Sequence, residues 1–567
     1  MAGSTTSPAL ESGLKAFGDR FPHPFTTNNE LGYGSLTLPG RDRPRTLVEL
    51  LMCKLSSTIR EKPRWHEKFQ DPAVQQKWRE EVLEQQGVSV PRNLALTPNM
   101  INYVLGELTA YASLRDPETG IEVGPYDRIW KSDELVPEDL RLELLDAISP
   151  LENVPEDERD WHPRSNGQVL DLVHPSLYPI VYGTTFDTSG NRVRAPVPEG
   201  DAEEEDGFLS ELFQWIPSDF AFKEDKRTIE LVSPYINNVH PSDHKKLYDV
   251  IPKLLERAVP MFDRVLSDLR REIELPFRVG PSNGPDCIWP GEASENVYGE
   301  DLDWNNLHWP LLSTHELRFP DAPSEYNGGL DDVKLTEHLS NWRGFQVIVK
   351  LANIMLTPEK PAYEGGSWHV EGMKNESIVA SFIYYYDSEN ITESSLAFRN
   401  ATAEPDDHHQ HDFECMWLLY KYKQWEATSQ EIGEIPTKQG RTIAFPNIYQ
   451  HNVGKFELIE KSKPGHRKIL VFFLVDPTTT VPSASTVPAQ RKDWIQRAVV
   501  EATANPRSLW SRLPAEIIDM ILEYVYSYAI SSEDAVRIRE ELMNERTQFV
   551  EFVDGQRFNH PFNLCEH

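Results

Sequence analysis

Four short runs between residues 345 and 477 constrain this chain more than any other feature: "FQVIVKLANIML", "SIVASFIYYYDS", "RTIAFPN" and "RKILVFFLVDP". Each is rich in β-branched and aromatic residues and is bounded by Gly, Pro, Asn or Asp, so the pattern predicts strands of one β core joined by loops of varying length. Elsewhere the period is helical. "RTLVELLMCKLSSTIREKP" (45–63) has helical apolar spacing and should end near Pro63. "TPNMINYVLGELTAYASL" (97–114) opens with Thr97 as N-cap and Pro98 in the first helical position. The helical pattern of 244–271 is interrupted or kinked by Pro260, and helices return at 488–556 beyond a Pro/Ser/Thr hinge. The expected organisation is a mainly helical, loop-rich flank over 1–270, a β core over 271–480 and a helical segment over 481–567. No internal repeat is visible.

Composition narrows the partners. Among 567 residues, 39% are hydrophobic and 10% aromatic, which is globular composition. Lys+Arg number 57 against 90 Asp+Glu, a net charge of -33 without any Lys/Arg run. Such a surface repels phosphates and anionic lipid, so neither nucleic acid nor membrane is expected as a partner. Cys53, Cys287, Cys415 and Cys565 are scattered without CxxC spacing, which fits a reducing compartment and no cysteine zinc site. There is no apolar leader at the start and no long apolar run, so a soluble intracellular protein, cytoplasmic or nuclear, is expected. P-loop, GxGxxG and GxSxG motifs in their proper context are lacking.

The chemistry gathers around "EGGSWHVEGM" (364–373). Residues two apart on a strand share a face, so His369 and Glu371 converge on one point. "FPNIYQHNVG" places His451 just after another strand, and "KPGHRKILVFFLVDP" places Arg467 at the start of a strongly apolar one. Alone, each residue has an ordinary structural explanation: a strand end, a hydrogen-bonded loop histidine, an arginine paired with some carboxylate. Together, two histidines and one carboxylate on one face leave metal positions open, the arrangement of non-haem Fe(II) oxygenases. An arginine beside them offers a planar fork for a carboxylate.

The His-x-Glu, His and Arg order on successive strands resembles the 2-oxoglutarate/Fe(II)-dependent oxygenase superfamily. More closely, "VLDLVHPSLYPIVYG", "YINNVHP", "LTPEKPAYEGGSWHVEGM", "IYYYDSENITES", "GRTIAFPNIYQHNV", "PGHRKILVFFLVDP" and "FNLCEH" resemble the fungal family carrying the domain of unknown function 4246. The superfamily resemblance implies an α+β chain with a double-stranded β-helix, a jelly-roll-like core, flanked by the large N-terminal region and the helical C-terminal segment. It implies Fe(II) held by His369, Glu371 and His451, and 2-oxoglutarate as cosubstrate with its distal carboxylate on Arg467. Glu371 departs from the commoner Asp by one methylene. The implied reaction is hydroxylation or oxidation of a small-molecule or protein substrate, coupled to decarboxylation of 2-oxoglutarate to succinate. The alternatives are a catalytically silent β-helix binding or adaptor protein and a cupin-like metalloenzyme that does not use 2-oxoglutarate; Arg467 speaks against the second.

Strand alternation puts Tyr384 and Tyr386 on one face and Tyr385 on the other, which makes Tyr385 the weaker cosubstrate-binding candidate. "DDHHQHD" (406–412) and "WHPRSNGQ" (161–168) offer polar side chains for a substrate pocket. "LPAEIIDMILEYV" (513–525) resembles the start of an F-box-like motif and is expected to be an amphipathic helix packed on the core. The segment 531–553 begins with Ser531-x-x-Asp534 and is expected to be a solvated helix.

Overall fold

The four apolar runs become the central strands of one antiparallel sheet. The computed structural model describes residues 20–25, 42–89, 94–197, 207–271, 275, 278–279, 321–326, 328–330, 333–342, 344–403, 405, 413–559 and 562. In chain order its strands are β1 (Glu122–Val123), β2 (Trp130–Ser132), β3 (Val169–Val173), β4 (Ile180–Val181), β5 (Phe213–Gln214), β6 (Ser218–Phe222), β7 (Ile229–Leu231) and β8 (Gly344–Leu356). There follow β9 (Ala362–Tyr363), β10 (Ile378–Glu389), β11 (Ser394–Ala401), β12 (Ser429–Thr437), β13 (Thr442–Pro446), β14 (Gln450–Val453), β15 (Phe456–Glu457) and β16 (Gly465–Val475).

The large sheet runs β1-β2-β13-β10-β16-β8-β6-β7, with β3 also paired to β8, and a smaller sheet runs β12-β11-β14. The flank before residue 270 thus adds strands at both edges of the large sheet besides its helices. Those strands are short and lie among prolines, so their period is hard to read from sequence. The architecture is mixed α+β with antiparallel sheets.

Directly paired residues share a sheet face, and the face repeats every second residue. The outer face of the large sheet carries Phe382, whose ring lies 6.1 Å from Phe262 of the helix α3 (Lys245–Leu269), after α1 (Leu47–Arg60) and α2 (Pro98–Leu114) earlier in the chain. Phe262, Phe382 and Phe472 are fully buried, each worth about 1.5–3 kcal/mol of transfer free energy. Pro252 and Pro260 both lie inside α3, which continues as one helix through them, so Pro260 does not interrupt it. Thr97 caps α2 by accepting from the Met100 N–H, with Pro98 in the first turn, as its sequence predicts. On the inner face, the pairs Arg467 with Ile354, Ile469 with Tyr385, and Val471 with Lys350 align their side chains. The smaller sheet covers this face, since Arg467 of β16 donates to Ser394 of β11 and Thr437 of β12.

Two helical expectations need correction. The segment 513–525 does not pack on the core: α4 (Ala515–Tyr526) has no buried residue, and Ile517, Met520 and Tyr524 are exposed. The segment 531–553 is not simply solvated: α5 (Ser532–Val553) buries Ala535, Ile538, Leu542, Phe549 and Val553. Phe549 and Val553 cluster with Val370 and Met373, and Arg546 donates twice to Glu376 at 3.1 and 2.6 Å. The C-terminal helix therefore braces the segment that carries His369 and Glu371. Among the described residues, no helix is long and apolar enough to cross a membrane. The 406–412 segment lies outside the described residues.

Candidate metal centre

The paired glycines of "EGGSWHVEG" let the chain lie against β14. Gly365 adopts φ +94, and a Cβ there would stand 2.7 Å from the Val453 carbonyl oxygen, so only glycine fits. The Gly366 N–H then donates to that oxygen at 2.9 Å. Further along, His369 and His451 exchange backbone hydrogen bonds at 3.2 and 3.0 Å. That makes them a directly opposed pair, and their ring centroids are 4.3 Å apart. Asn447 fixes the third residue: its Oδ1 accepts from the Glu371 N–H and its Nδ2 donates to the Glu371 carbonyl, both at 2.8 Å. Gly372, at φ +68, turns the chain away immediately afterwards.

The three predicted ligands come together. Glu371 Oε1 lies 3.8 Å from His369 Nε2 and 3.4 Å from His451 Nε2. One ligand atom from each of the three falls within 4.8 Å of the others. His369 Nδ1–H donates to the Ser367 carbonyl at 2.8 Å, which turns the Nε2 side toward the carboxylate as a metal-binding imidazole requires. Burial opposes charge at His369, but the Glu371 carboxylate and the Ser367 carbonyl outweigh it and raise its pKa. Burial and then the neighbouring His369 push His451 down to about 4, so that imidazole is neutral. Burial alone would raise the Glu371 pKa, yet the two neighbouring imidazoles hold it well below the usual carboxylate range. His451 Nδ1 is buried without a hydrogen-bond partner. The donor set fits a divalent transition metal, with an ionised carboxylate and two imidazoles on one point.

Arg467 reaches β11, the strand that pairs with His451. It is 2% exposed, and its Nη1 donates to Ser394 Oγ at 3.1 Å and Thr437 Oγ1 at 3.3 Å. Its Nε is buried without a partner, and it makes no ion pair among the described residues. The guanidinium lies 5.7 Å from the Tyr385 ring centroid and 4.3 Å from that of Phe456. Burial lowers its pKa from the ordinary arginine value. A buried cation without a counter-charge is costly unless a ligand supplies one. Tyr384 and Tyr386 point the other way, and the Tyr386 hydroxyl donates to Asn353 at 3.1 Å.

Residues 98–498 match the model of a family described as "Protein of unknown function (DUF4246)", and residues 8–81 match "Domain of unknown function DUF4246, N-terminal". The chain belongs to the DUF4246 family. No curated protein matches it. Among solved structures, this DUF4246 chain is similar to the Fe(II)/α-ketoglutarate-dependent dioxygenase TqaL at 10% identity and a TM-score of 0.21, covering 46% of this chain and 65% of that one. It is similar to IDO from Bacillus thuringiensis at 12% identity and a TM-score of 0.16, covering 24% and 47%. A non-heme monooxygenase, the ThoJ–Ni complex, matches at 10% identity and a TM-score of 0.15, covering 36% and 67%. The chain spans less than two thirds of the first two. Scores this low carry no weight.

The DUF4246 chain also holds a cluster that its sequence does not announce: His162, Asp171 and His174, again within 4.8 Å of one another. His162 Nδ1–H donates to Asp171 Oδ2 at 2.8 Å, and the Ser176 N–H donates to His174 Nδ1 at 3.2 Å. With Nδ1 accepting, the neutral His174 ring carries its proton on Nε2, so it presents no lone pair there. Arg539 of α5 approaches Asp171 Oδ2 at 3.8 Å. Burial pushes the His174 pKa down to about 3. Burial would raise Asp171, but His174 and the bond from His162 hold it at about 2. This cluster is hydrogen-bonded as a polar wall rather than as a metal shell. Two further residues were hidden in sequence: Asn447, in a run that reads only as a strand end, and Lys350, in a run that reads as strand interior.

Proposed function

We propose that this protein is an Fe(II)/2-oxoglutarate-dependent oxygenase on a double-stranded β-helix core. The observation that carries the reading is Arg467, a buried guanidinium without an acidic partner among the described residues, which reaches β11, the strand that also pairs with His451 of the two-histidine, one-carboxylate cluster. That donor set suits non-haem Fe(II) with positions left open. The Nε side of the Arg467 guanidinium, buried without a partner, suits the far carboxylate of a dicarboxylic cosubstrate. The strand order supports the core assignment: β13-β10-β16-β8 forms one wall and β12-β11-β14 the other, with the His369 segment bridged to β14.

When bound, Fe(II) with 2-oxoglutarate and O2 supplies oxidation of a C–H bond. The chain's own residues supply the rest. The Ser367 carbonyl orients the His369 ring, and burial keeps His451 neutral and ready to ligate. Asn447 holds the Glu371 backbone, so the carboxylate reaches the point where the imidazoles meet. Arg467 orients the cosubstrate, and the apolar rings of Tyr385 and Phe456 keep water from that fork, which strengthens its ion pair. A cupin-like enzyme without 2-oxoglutarate would leave the buried guanidinium unmatched. The test is succinate production: purified protein with Fe(II) in air should convert 2-oxoglutarate to succinate, and His451→Ala should not. Equal succinate from both proteins would sink the reading.

A further inference from the structure

Lys350 lies on the inner face of β8. It pairs with Val471, while Arg467 pairs with Ile354 in an unbroken register, so both cations share that face. They are separated by roughly 13 Å along the strand direction. Lys350 is half-buried and makes no hydrogen bond or ion pair among the described residues. Its charge acts on His369 and His451 and also on Asp171 and His174, so it lies within electrostatic reach of both clusters. Asp171 pairs with Ala352 of β8 and is therefore a diagonal neighbour of Lys350 on the same face. The Asp171 side chain is 0% exposed; its Oδ2 accepts from His162, and its Oδ1 is buried with no partner.

An unpaired ammonium and an unpaired carboxylate oxygen thus stand as diagonal neighbours on one sheet face, within electrostatic reach of the candidate metal centre. The first asks for an anion and the second for an N–H or O–H donor. The cosubstrate does not fit this pair. 2-Oxoglutarate has two carboxylates and no donor, so Asp171 repels it, and Arg467 already suits its far end. A plain acid satisfies only Lys350, and a plain amine satisfies only Asp171. A molecule that carries both groups satisfies both.

We propose that Lys350 and Asp171 hold the head of the substrate, and that this substrate is a small zwitterion of the α-amino acid type. Lys350 takes its carboxylate and Asp171 Oδ1 its ammonium group. This inference rests on the oxygenase reading above, and the experiment separates the two. The full-length protein is loaded with Mn(II) and 2-oxoglutarate, and binding of both is measured first. The common α-amino acids are then added one at a time, each against the acid lacking its amino group and the amine lacking its carboxylate. Enhanced relaxation of probe protons by Mn(II) reports binding beside the metal.

At least one amino acid should bind about tenfold or more tightly than both of its truncated partners. Lys350→Met should abolish that advantage without changing 2-oxoglutarate affinity, and Lys350→Arg should retain most of it. Asp171→Asn should remove the preference for the amino group. If Mn(II) and 2-oxoglutarate bind but no amino acid outbinds its truncated partners, the inference is overturned and the oxygenase reading stands. Loss of 2-oxoglutarate affinity in Lys350→Met would overturn it too, by assigning the lysine to the cosubstrate. If Mn(II) does not load the wild-type protein, both readings fall.

Discussion

In the His369–Glu371–His451 cluster both imidazoles aim Nε2 at one carboxylate oxygen, and the bond from His369 Nδ1–H to the Ser367 carbonyl favours the tautomer a metal needs. In the His162–Asp171–His174 cluster the same three residue classes are as close, yet their hydrogen bonds run the other way. The Ser176 N–H occupies His174 Nδ1, the His162 N–H occupies one carboxylate oxygen, and Arg539 stands near that oxygen. The difference teaches that proximity of potential ligands does not make a metal shell. What each histidine's second nitrogen does decides the matter.

Metal content is the largest effect that could break this contrast. His369→Ala or His451→Ala should remove nearly all Fe(II) from the purified protein, whereas His162→Ala or His174→Ala should leave it unchanged, as measured by metal analysis. Iron that followed His174 instead would reverse the assignment of the two clusters. Next in size is the cosubstrate. Arg467→Ala should weaken 2-oxoglutarate binding by about ten- to a hundredfold while sparing iron, because a buried charge-assisted fork is lost without loss of a ligand. Arg467→Lys should rescue only part, since an ammonium cannot reproduce bidentate geometry; calorimetric titration of the three proteins would show whether it does.

A smaller effect is expected at Asn447, which touches no metal position but bonds the Glu371 N–H and carbonyl. Asn447→Ala should lower metal affinity by about ten- to a hundredfold, the usual size for a supporting residue. An affinity equal to wild type would mean that α5 alone holds the segment in place. The second cluster should reveal itself in acid instead. His174 is neutral when folded, with its pKa at about 3, whereas the unfolded side chain titrates near 6.5. Between those values the unfolded chain binds more protons, so stability falls as pH falls, by at most about 1.4 kcal/mol per pH unit from this residue. His174→Asn should flatten denaturation midpoints across that range. An unchanged slope would show that the ring is not held neutral.

Much of the first cluster could be read along the chain because its cues are local. His369 and Glu371 sit two apart after a glycine pair, and His451 and Arg467 adjoin runs with unmistakable strand composition. The second cluster had no such signal, since its histidines and aspartate stand in a Pro-rich segment far from β8, and only the pairing of β3 with β8 brings Asp171 near Lys350. Lys350 itself is one charge in an apolar run, where it passes for a residue at a strand's solvent edge. In α5 the buried positions do recur at helical spacing, but dense charge between them reads as a solvated helix. The opposite error arose at α4, whose apolar residues suggest packing although the fold leaves none of them buried.

The central claim is that one metal and one dicarboxylate meet between His369, Glu371, His451 and Arg467. Anaerobic titration of the Fe(II)-loaded protein with 2-oxoglutarate, followed by visible absorption, tests it most directly. A metal-to-ligand charge-transfer band should grow to saturation at about one cosubstrate per iron, require far more 2-oxoglutarate in Arg467→Ala, and be absent from His369→Ala. An iron-loaded wild-type protein that develops no such band would contradict the claim.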